Sequence, residues 1–337
     1  MKAENLELVD GLRRQYRRLR LLYLAYLAAA VLALIFFFVD RRVTLVLVAA
    51  SLIYHLVVVR PAGRAYQRAF IHACGQYTLA RRLEEPRHTA EPTLTEEELR
   101  RARLVAASEA KGSVLIKEGG AGRWRNRPVR LGDAGFTNAF PMDGKNHHEF
   151  VVGTWVTVEL GRDTGLDWRL IQERVMMKPS RDVWFRRESG LKRVVGFGPD
   201  WMEDGTWYAL RPEGTPDVPG HEFLAALRKL AEGTDRPLAV CVQGDRLHVF
   251  VTNRILGQKV SSRIAPTDAV ARVDFLPELD GILRLSDTLA KYGRHATARR
   301  PYGRRAFVSK KRQSRFFEKG HMAEGVRFLA KKSPLPP

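Results

Sequence analysis

Cysteine is nearly missing from this 337-residue chain, which holds two, Cys74 and Cys241, far apart and each among apolar neighbours. That scarcity argues against a disulfide framework, a CxxC redox pair or a cysteine-based zinc site, and reads as two buried thiols in a reducing compartment. Acidic residues are also in short supply, 37 against 57 Lys and Arg. The deficit is local. Residues 1–90 carry 14 basic side chains against 6 acidic ones and residues 291–337 carry 14 against 2, whereas the 200 residues between them carry 29 of each sign. The chain is therefore a neutral middle with two basic ends, and only the ends call for an anionic partner, either anionic lipid or nucleic acid.

Catalytic signatures are missing too. There is no HExxH, nucleophile elbow, Ser-His-Asp pattern or phosphate-loop Gly-Lys-Ser/Thr, so no residue is put forward as catalytic, metal-ligating or cofactor-binding.

Long apolar runs, by contrast, are present. Leu21 to Val39 is nineteen residues without a charge, a helix of ~28 Å against a hydrocarbon core of ~30 Å. Val43 to Val59 adds seventeen more, ~25 Å, a slightly short second span. Neither run has a polar stripe to face water, which disfavours a soluble helix pair. The first run is too long for the apolar part of a signal peptide and ends in Val-Asp-Arg-Arg, not at a small-residue cleavage site, so both are expected to persist as a transmembrane hairpin. Six Lys and Arg lie in residues 1–20 and five in 60–82, against two in the Asp40–Arg42 connection. The positive-inside rule then puts both ends of the hairpin in the cytoplasm of a bacterial-type inner membrane, with Arg41 and Arg42 at the outer surface. Tyr23, Tyr26 and Tyr54 fall toward the inner ends as an aromatic belt, and His55 lies close enough to that interface to be solvated there. Arg60-Pro61 is expected to end the second helix, followed by a break to Arg64. A basic amphipathic helix from Ala65 to Arg82 comes next, lying on the leaflet or packed as a connector.

Beyond a linker at 84–95 marked by Pro86 and Pro92, Thr95-Glu-Glu-Glu98 is a capping box for a helix to about Ala110. Strands are expected at Ser113–Lys117, Phe150–Leu160 and Gly205–Leu210. A helix at His221–Glu232 stops at Gly233, a hairpin spans Leu238–Val242 and Arg246–Thr252, and a last helix runs Leu276–Tyr292. The order predicts a membrane-anchored α+β protein: hairpin 21–59, juxtamembrane helix and linker 60–94, cytosolic α+β domain 95–292 with a partly antiparallel sheet, and a basic tail 293–337. Three stretches, TWYALRPEG at 206–214, HEFLAALRKLAEG at 221–233 and LAVCVQGDRLHVFV at 238–251, resemble bacterial domain-of-unknown-function membrane proteins with two N-terminal spans and a cytosolic α+β domain. The resemblance covers about a tenth of the chain and implies architecture and membrane location, with no catalytic residue to carry over.

Four clusters carry polar chemistry. Asn146-His147-His148-Glu149 holds metal-capable side chains, but adjacent histidines on a strand point to opposite faces, so a solvated loop is expected. Asp163, Asp167 and Glu173 are expected in a loop with surface ion pairs to Arg162, Arg169 and Arg174, and form an acidic cleft only if their geometry brings them together. Gly119-Gly-Ala-Gly122 leads into GRWRNRPVR, an arginine-rich loop with Arg123, Arg125, Arg127 and Arg130 around Trp124, for phosphate, for RNA or for surface cover. The tail is the strongest of the four. Arg299, Arg300, Arg304, Arg305, Lys310, Lys311, Arg312 and Arg315 are interleaved with Phe307, Phe316 and Phe317. Such a segment attracts anionic headgroups at ~1 kcal/mol per basic residue while its aromatics insert, or binds nucleic acid by charge and stacking. The expected role is membrane-anchored binding or scaffolding. The alternatives are an RNA- or ribosome-associated membrane protein and a membrane-bound enzyme without a recognisable motif.

Overall fold

The computed structural model describes residues 3–142, 144–184, 190–194, 207–213, 219–256, 265–266 and 273–296. Helix α1 (Ala3–Phe37) is unbroken through the first apolar run. After a turn at 38–39, Asp40 caps α2 (Arg41–Tyr54), its carboxylate accepting from Arg42 N at 2.8 Å while its carbonyl takes the Thr44 hydroxyl at 3.0 Å. The charges that interrupt the apolar stretch are thus a helix cap and the first turn it starts.

The expected break at Pro61 is absent. Helix α2 passes through a π-helical turn, His55–Val59, into α3 (Arg60–Ala80), in which Arg60 N donates to His55 O. A proline cannot donate to the ladder, and the wider turn ahead of it places Pro61 in the first turn of α3, where no donor is needed. The result is a 40-residue helical rod, Arg41–Ala80, beside a first helix of similar length. Both are long and apolar enough to cross a membrane. Residues 21–57 leave their apolar side chains outward, among them Leu21, Leu34, Phe38, Leu45 and Val57. Outside that belt the same helices are packed, Val9, Leu12, Tyr16 and Leu19 of α1 meeting Tyr66, Phe70, Ala73 and Tyr77 of α3, with Tyr16 and Tyr66 rings 5.6 Å apart. Helix α3 therefore packs as a connector and does not lie free on a surface.

Nine antiparallel strands form one sheet in the order β1-β2-β3-β4-β9-β8-β5-β7-β6. They are β1 (Glu84–Thr89), β2 (Val114–Trp124), β3 (Arg127–Met142), β4 (Lys145–Glu159), β5 (Asp167–Gln172), β6 (Lys192–Val194), β7 (Trp207–Arg211), β8 (Leu238–Gln243) and β9 (Arg246–Thr252). Between them come α4 (Glu96–Ala102), α5 (Lys178–Val183) and α6 (His221–Glu232), and α7 (Leu279–Ala296) follows. The expected α+β class is what the described residues form, and the sheet, expected to be partly antiparallel, is antiparallel at every described pairing.

Period-two alternation gives the sheet two apolar faces. On one, Leu131, Val156, Val158, Leu170, Val240 and Val249 pack under α1, α3, α6 and α7. On the other, Phe136, Trp155 and Phe250 form an aromatic cluster with centroids 5.5–5.9 Å apart, covered by α4, the chain after it and Met176. Fully burying each such ring contributes roughly 1.5–3 kcal/mol. Both cysteines are buried and free, as expected, and burial pushes each thiol up to about 12.

Three elements depart from expectation. The linker at 84–95 contains β1, because Gln76 of α3 works as a strand partner, donating to Pro86 O and accepting from His88 N, both at 2.9 Å. The helix expected to run to Ala110 stops at Ala102, where Arg103 turns left-handed (φ 52°). Helix α7 passes through Gly293 and continues to Ala296.

Candidate functional site

Helix α4 begins where Thr95 Oγ1 accepts from Glu98 N at 3.3 Å. The reciprocal half of the expected capping box is not made. The Glu98 carboxylate instead receives both guanidinium nitrogens of Arg130 on β3, at 2.8 and 3.0 Å, with Arg246 of β9 3.8 Å away. A cleft of about 540 Å³ opens there, with Arg101, Arg130, Arg246, Glu97, Glu98 and Asp245 on its walls and His248 at its buried floor. His248 Nδ1 accepts from Trp155 Nε1 at 3.4 Å and lies 3.1 Å from Thr157 Oγ1. Burial first, then Arg246, Arg130 and Arg169, push this imidazole down to about 3. It is neutral at physiological pH and is no proton carrier there. Three cations face three carboxylates, and the chemistry fits holding α4 on the sheet better than turning over a substrate. Arg169, also buried, completes the attachment by donating to Ala102 O at 3.0 Å and pairing with Asp167.

The arginine-rich stretch is a hairpin, not a loop. Arg125 and Asn126 have φ of 51° and 64°, the left-handed pair that a two-residue turn matched to strand twist requires. Asp287 of α7 gathers the turn, accepting from Trp124 Nε1 at 3.1 Å and pairing with Arg127 and, at 3.3 Å, with Arg125. The adjoining cleft of about 430 Å³ is lined by Arg125, Arg127, Arg162 and Lys291 with Asp287 as its carboxylate, so its field favours anions. Arg130, on the opposite face, belongs to Glu98.

The glycines at 119–122 are interior to β2 and do not form a phosphate loop. They admit close packing: a Cβ on Gly120 would lie 2.6 Å from Leu79 Cδ1, and one on Gly122 2.9 Å from Leu83 Cβ. The acidic trio does not converge. Asp163 accepts from Gly165 N, Asp167 pairs with Arg169 ahead of it on β5, and Glu173, past the far end of that strand, takes Arg181 at 2.9 Å. The run is a strand because Trp168, Leu170 and Ile171 are buried on its two faces. Asn146 to Glu149 is strand too. His147 and Glu149 share one face while exposed His148 takes the other, and Glu149 is buried with its carboxylate accepting from Met177 N. Among the described residues no three His, Cys, Asp or Glu side chains group as metal ligands. Arg299, Arg300, Arg304, Arg305, Phe307, Lys310, Lys311, Arg312, Arg315, Phe316 and Phe317 lie outside the described residues.

Comparison with protein-family models, with curated proteins and with solved structures finds no match. The candidate sites therefore rest on geometry. The cleft over His248 was legible only as alternation, Arg246 and His248 against Leu247 and Val249 on β9. Its partner, Glu98, was hidden inside a capping signature.

An imidazole pair joins exposed His72 to buried His88. His72 of α3 and His88 of β1 bring their Nδ1 atoms to 3.2 Å, and Gly75 makes room for the ring, since a Cβ there would lie 2.2 Å from His88 Cδ2. Burial, with His72 second, pushes His88 down to about 4.

Proposed function

We propose that this protein is a membrane-anchored binding or scaffolding protein of a bacterial-type inner membrane, its α+β domain cytoplasmic and its basic tail directed at the anionic inner leaflet. The observation that carries the reading is the outward apolar belt of residues 21–57, flanked at one end by Arg41 and Arg42 and at the other by most of the basic residues of α1 and α3. Water leaves such a belt uncovered at high cost, and a bilayer covers it. The tail adds charge on the cytoplasmic side, and tethering makes its contact with lipid effectively intramolecular.

Cysteine labelling in intact cells tests the topology. The two native thiols are buried, so Asp40→Cys and Ser333→Cys report alone. An impermeant maleimide labels position 40 and not 333 if both termini are inside, and the reverse pattern overturns the orientation. For the tail, Phe317→Cys carrying a fluorophore in full-length protein is expected to be quenched by lipid-borne nitroxide in anionic vesicles and not in zwitterionic ones. Absence of quenching in both, with salt-sensitive RNA capture, moves the assignment to nucleic acid.

A further inference from the structure

Among the described residues outside the apolar belt, the exposed large apolar side chains are Phe150 (59 %), Met177 (49 %), Leu115 (44 %) and Ile255 (39 %). They come from four separate segments, and Leu115, Phe150 and Met177 share one end of the sheet. Leu115, near the start of β2, pairs with Gly135, which in turn pairs with Val152 of β4, and Phe150 pairs with Thr137 of β3. Strand β5 stops at Gln172, five residues before Met177, whereas after β9 stops at Thr252 the chain folds back over the sheet, Arg254 O accepting from Thr154 Oγ1 and Asp133 Oδ1 from Leu256 N, so Ile255 lies behind that end. Here β3 and β4 run on beyond β1, and neither α6 nor α7 covers them.

The chain path says which way that end points. Helix α3 leaves the belt at Arg60 and runs to Ala80, where the chain reverses into β1. Strand β1 is antiparallel to β2, and Leu79 of α3 and Leu83 just past it stand over Gly120 and Gly122 in the same order, so β2 runs with α3. Going back along both from Leu79 and Gly120, Arg60 is nineteen residues away, ~28 Å at a helical rise. Gly120 pairs with Leu131. Counted in strand residues from that level, Leu115 lies ~16 Å back, Phe150 (at the level of Thr137) ~20 Å and Lys145 (at the level of Met142) ~36 Å, before twist shortens the projection. The overhanging strands therefore reach the plane in which α3 leaves its span.

The charges suit that plane. Lys145, Arg174 and Lys178 are exposed there, while the nearby acids Glu149 and Glu173 are engaged with Met177 N and Arg181, and exposed Glu109 is offset by Lys111. Between Phe150 and Met177 lies a cleft of about 290 Å³ lined also by Arg174, Met176, Thr252 and Asn253. It has apolar walls for a chain segment and a guanidinium for a phosphate.

Resting on the membrane-anchored reading, we infer that this sheet end is a second, peripheral membrane contact: the β3–β4 tip with Lys145 comes down on the inner leaflet, Phe150 and Met177 face its interfacial layer with Arg174 and Lys178 beside them for phospholipid headgroups, and Leu115 lies just behind. The anchor and the sheet end then fix the domain at two points, which sets its tilt over the membrane.

The test uses full-length protein in nanodiscs with single-cysteine reporters at Leu115→Cys and Phe150→Cys, a control at Asn126→Cys on the β2–β3 turn at the opposite end, and an anchor control at Ile35→Cys within the first span. A headgroup-attached nitroxide lipid is expected to quench the reporters at 115 and 150 at least threefold more than the one at 126, and more in anionic than in zwitterionic lipid. Adding Phe150→Ser is expected to halve the quenching at 115. Quenching at 115 and 150 no greater than at 126, with strong quenching of an acyl-chain probe at 35, overturns the inference and leaves the anchor standing. Loss of quenching at 35 as well sinks the anchor reading and the inference with it.

Discussion

The two ends of the sheet differ in what they leave exposed. At the end that carries the β2–β3 turn, arginines meet carboxylates from distant segments: Arg127 and Arg125 with Asp287, Arg130 and Arg246 with Glu98. At the other end apolar side chains stand outward with nothing from the described residues over them. Both ends are exposed to solvent at the rim of one domain, so the contrast is one of use. A paired cation holds a fold together, and an uncovered apolar group is retained where something else covers it. The local density of arginine in GRWRNRPVR therefore overstates its free positive charge, because Asp287 and Glu98 arrive from far along the chain to take part of it.

The contrast breaks most visibly at Glu98. Its carboxylate is nearly inaccessible and holds Arg130 bidentately. Glu98→Ala leaves that guanidinium partly buried without its partner, at an expected cost of ~3 kcal/mol, a fall of roughly 6–12 °C in the melting temperature. Thermal unfolding in detergent measures it. The pair substitution Glu98→Leu with Arg130→Met is expected to recover most of the loss, since it removes the stranded charge along with its partner. If the single substitution leaves the melting temperature unchanged, the pairing at this end is not structural.

Acid probes the same end through His248. The folded protein holds this imidazole down to about 3, against an ordinary value of 6.5. Between those values the unfolded chain binds the proton and the folded chain does not, so the stabilisation present above pH 6.5 is lost as pH falls through that window. At pH 5 the loss is about 2 kcal/mol from this group. His88, held down to about 4, contributes in the same direction. Melting temperatures from pH 7.5 to 4.5 should fall, and His248→Gln should flatten the slope. An unchanged slope in that variant assigns the acid sensitivity elsewhere.

These two tests fall on residues whose roles were illegible in the sequence, and the reasons differ. Elements whose signal is local were readable: α6 at His221–Glu232 from its apolar face and Gly233, and the β8–β9 hairpin from two β-rich runs around Gly244-Asp245. The apolar runs were readable for the same reason. Strands β1, β3 and β5 were not, because Pro86, Gly132, Asp133, Gly135, Asp167 and Arg169 argue locally against strand, and their stability comes from neighbours far along the chain. Pro61 gave a correct local signal that the π-helical turn upstream absorbed. The His248 cleft and the Asp287 cluster depend on pairs 150 and 160 positions apart, such as Glu98 with His248 and Arg127 with Asp287, and no spacing rule reaches that far.

A smaller effect separates cap from network. Thr95 accepts from Glu98 N and so starts the helix that carries Glu98. Thr95→Ala is expected to cost ~1 kcal/mol, the usual value of a lost N-cap. Its combination with Glu98→Ala should cost less than the sum, because once the carboxylate is gone the position of its helix matters less. Full additivity in that cycle separates the cap from the ion pairs.

The smallest expected change sharpens the comparison most. Leu115 is 44 % exposed and belongs to neither of the two packed apolar clusters. Leu115→Ser in detergent should shift stability by no more than ~0.5 kcal/mol, within the range of surface substitutions that touch no cap, core or ion pair. A residue that contributes so little to the fold while holding a large apolar side chain outward is free to serve a contact outside the domain. A loss of 2 kcal/mol or more would mean that Leu115 is packed in solution, that the exposed end is covered by the protein itself, and that the two ends of the sheet are alike in serving the fold alone.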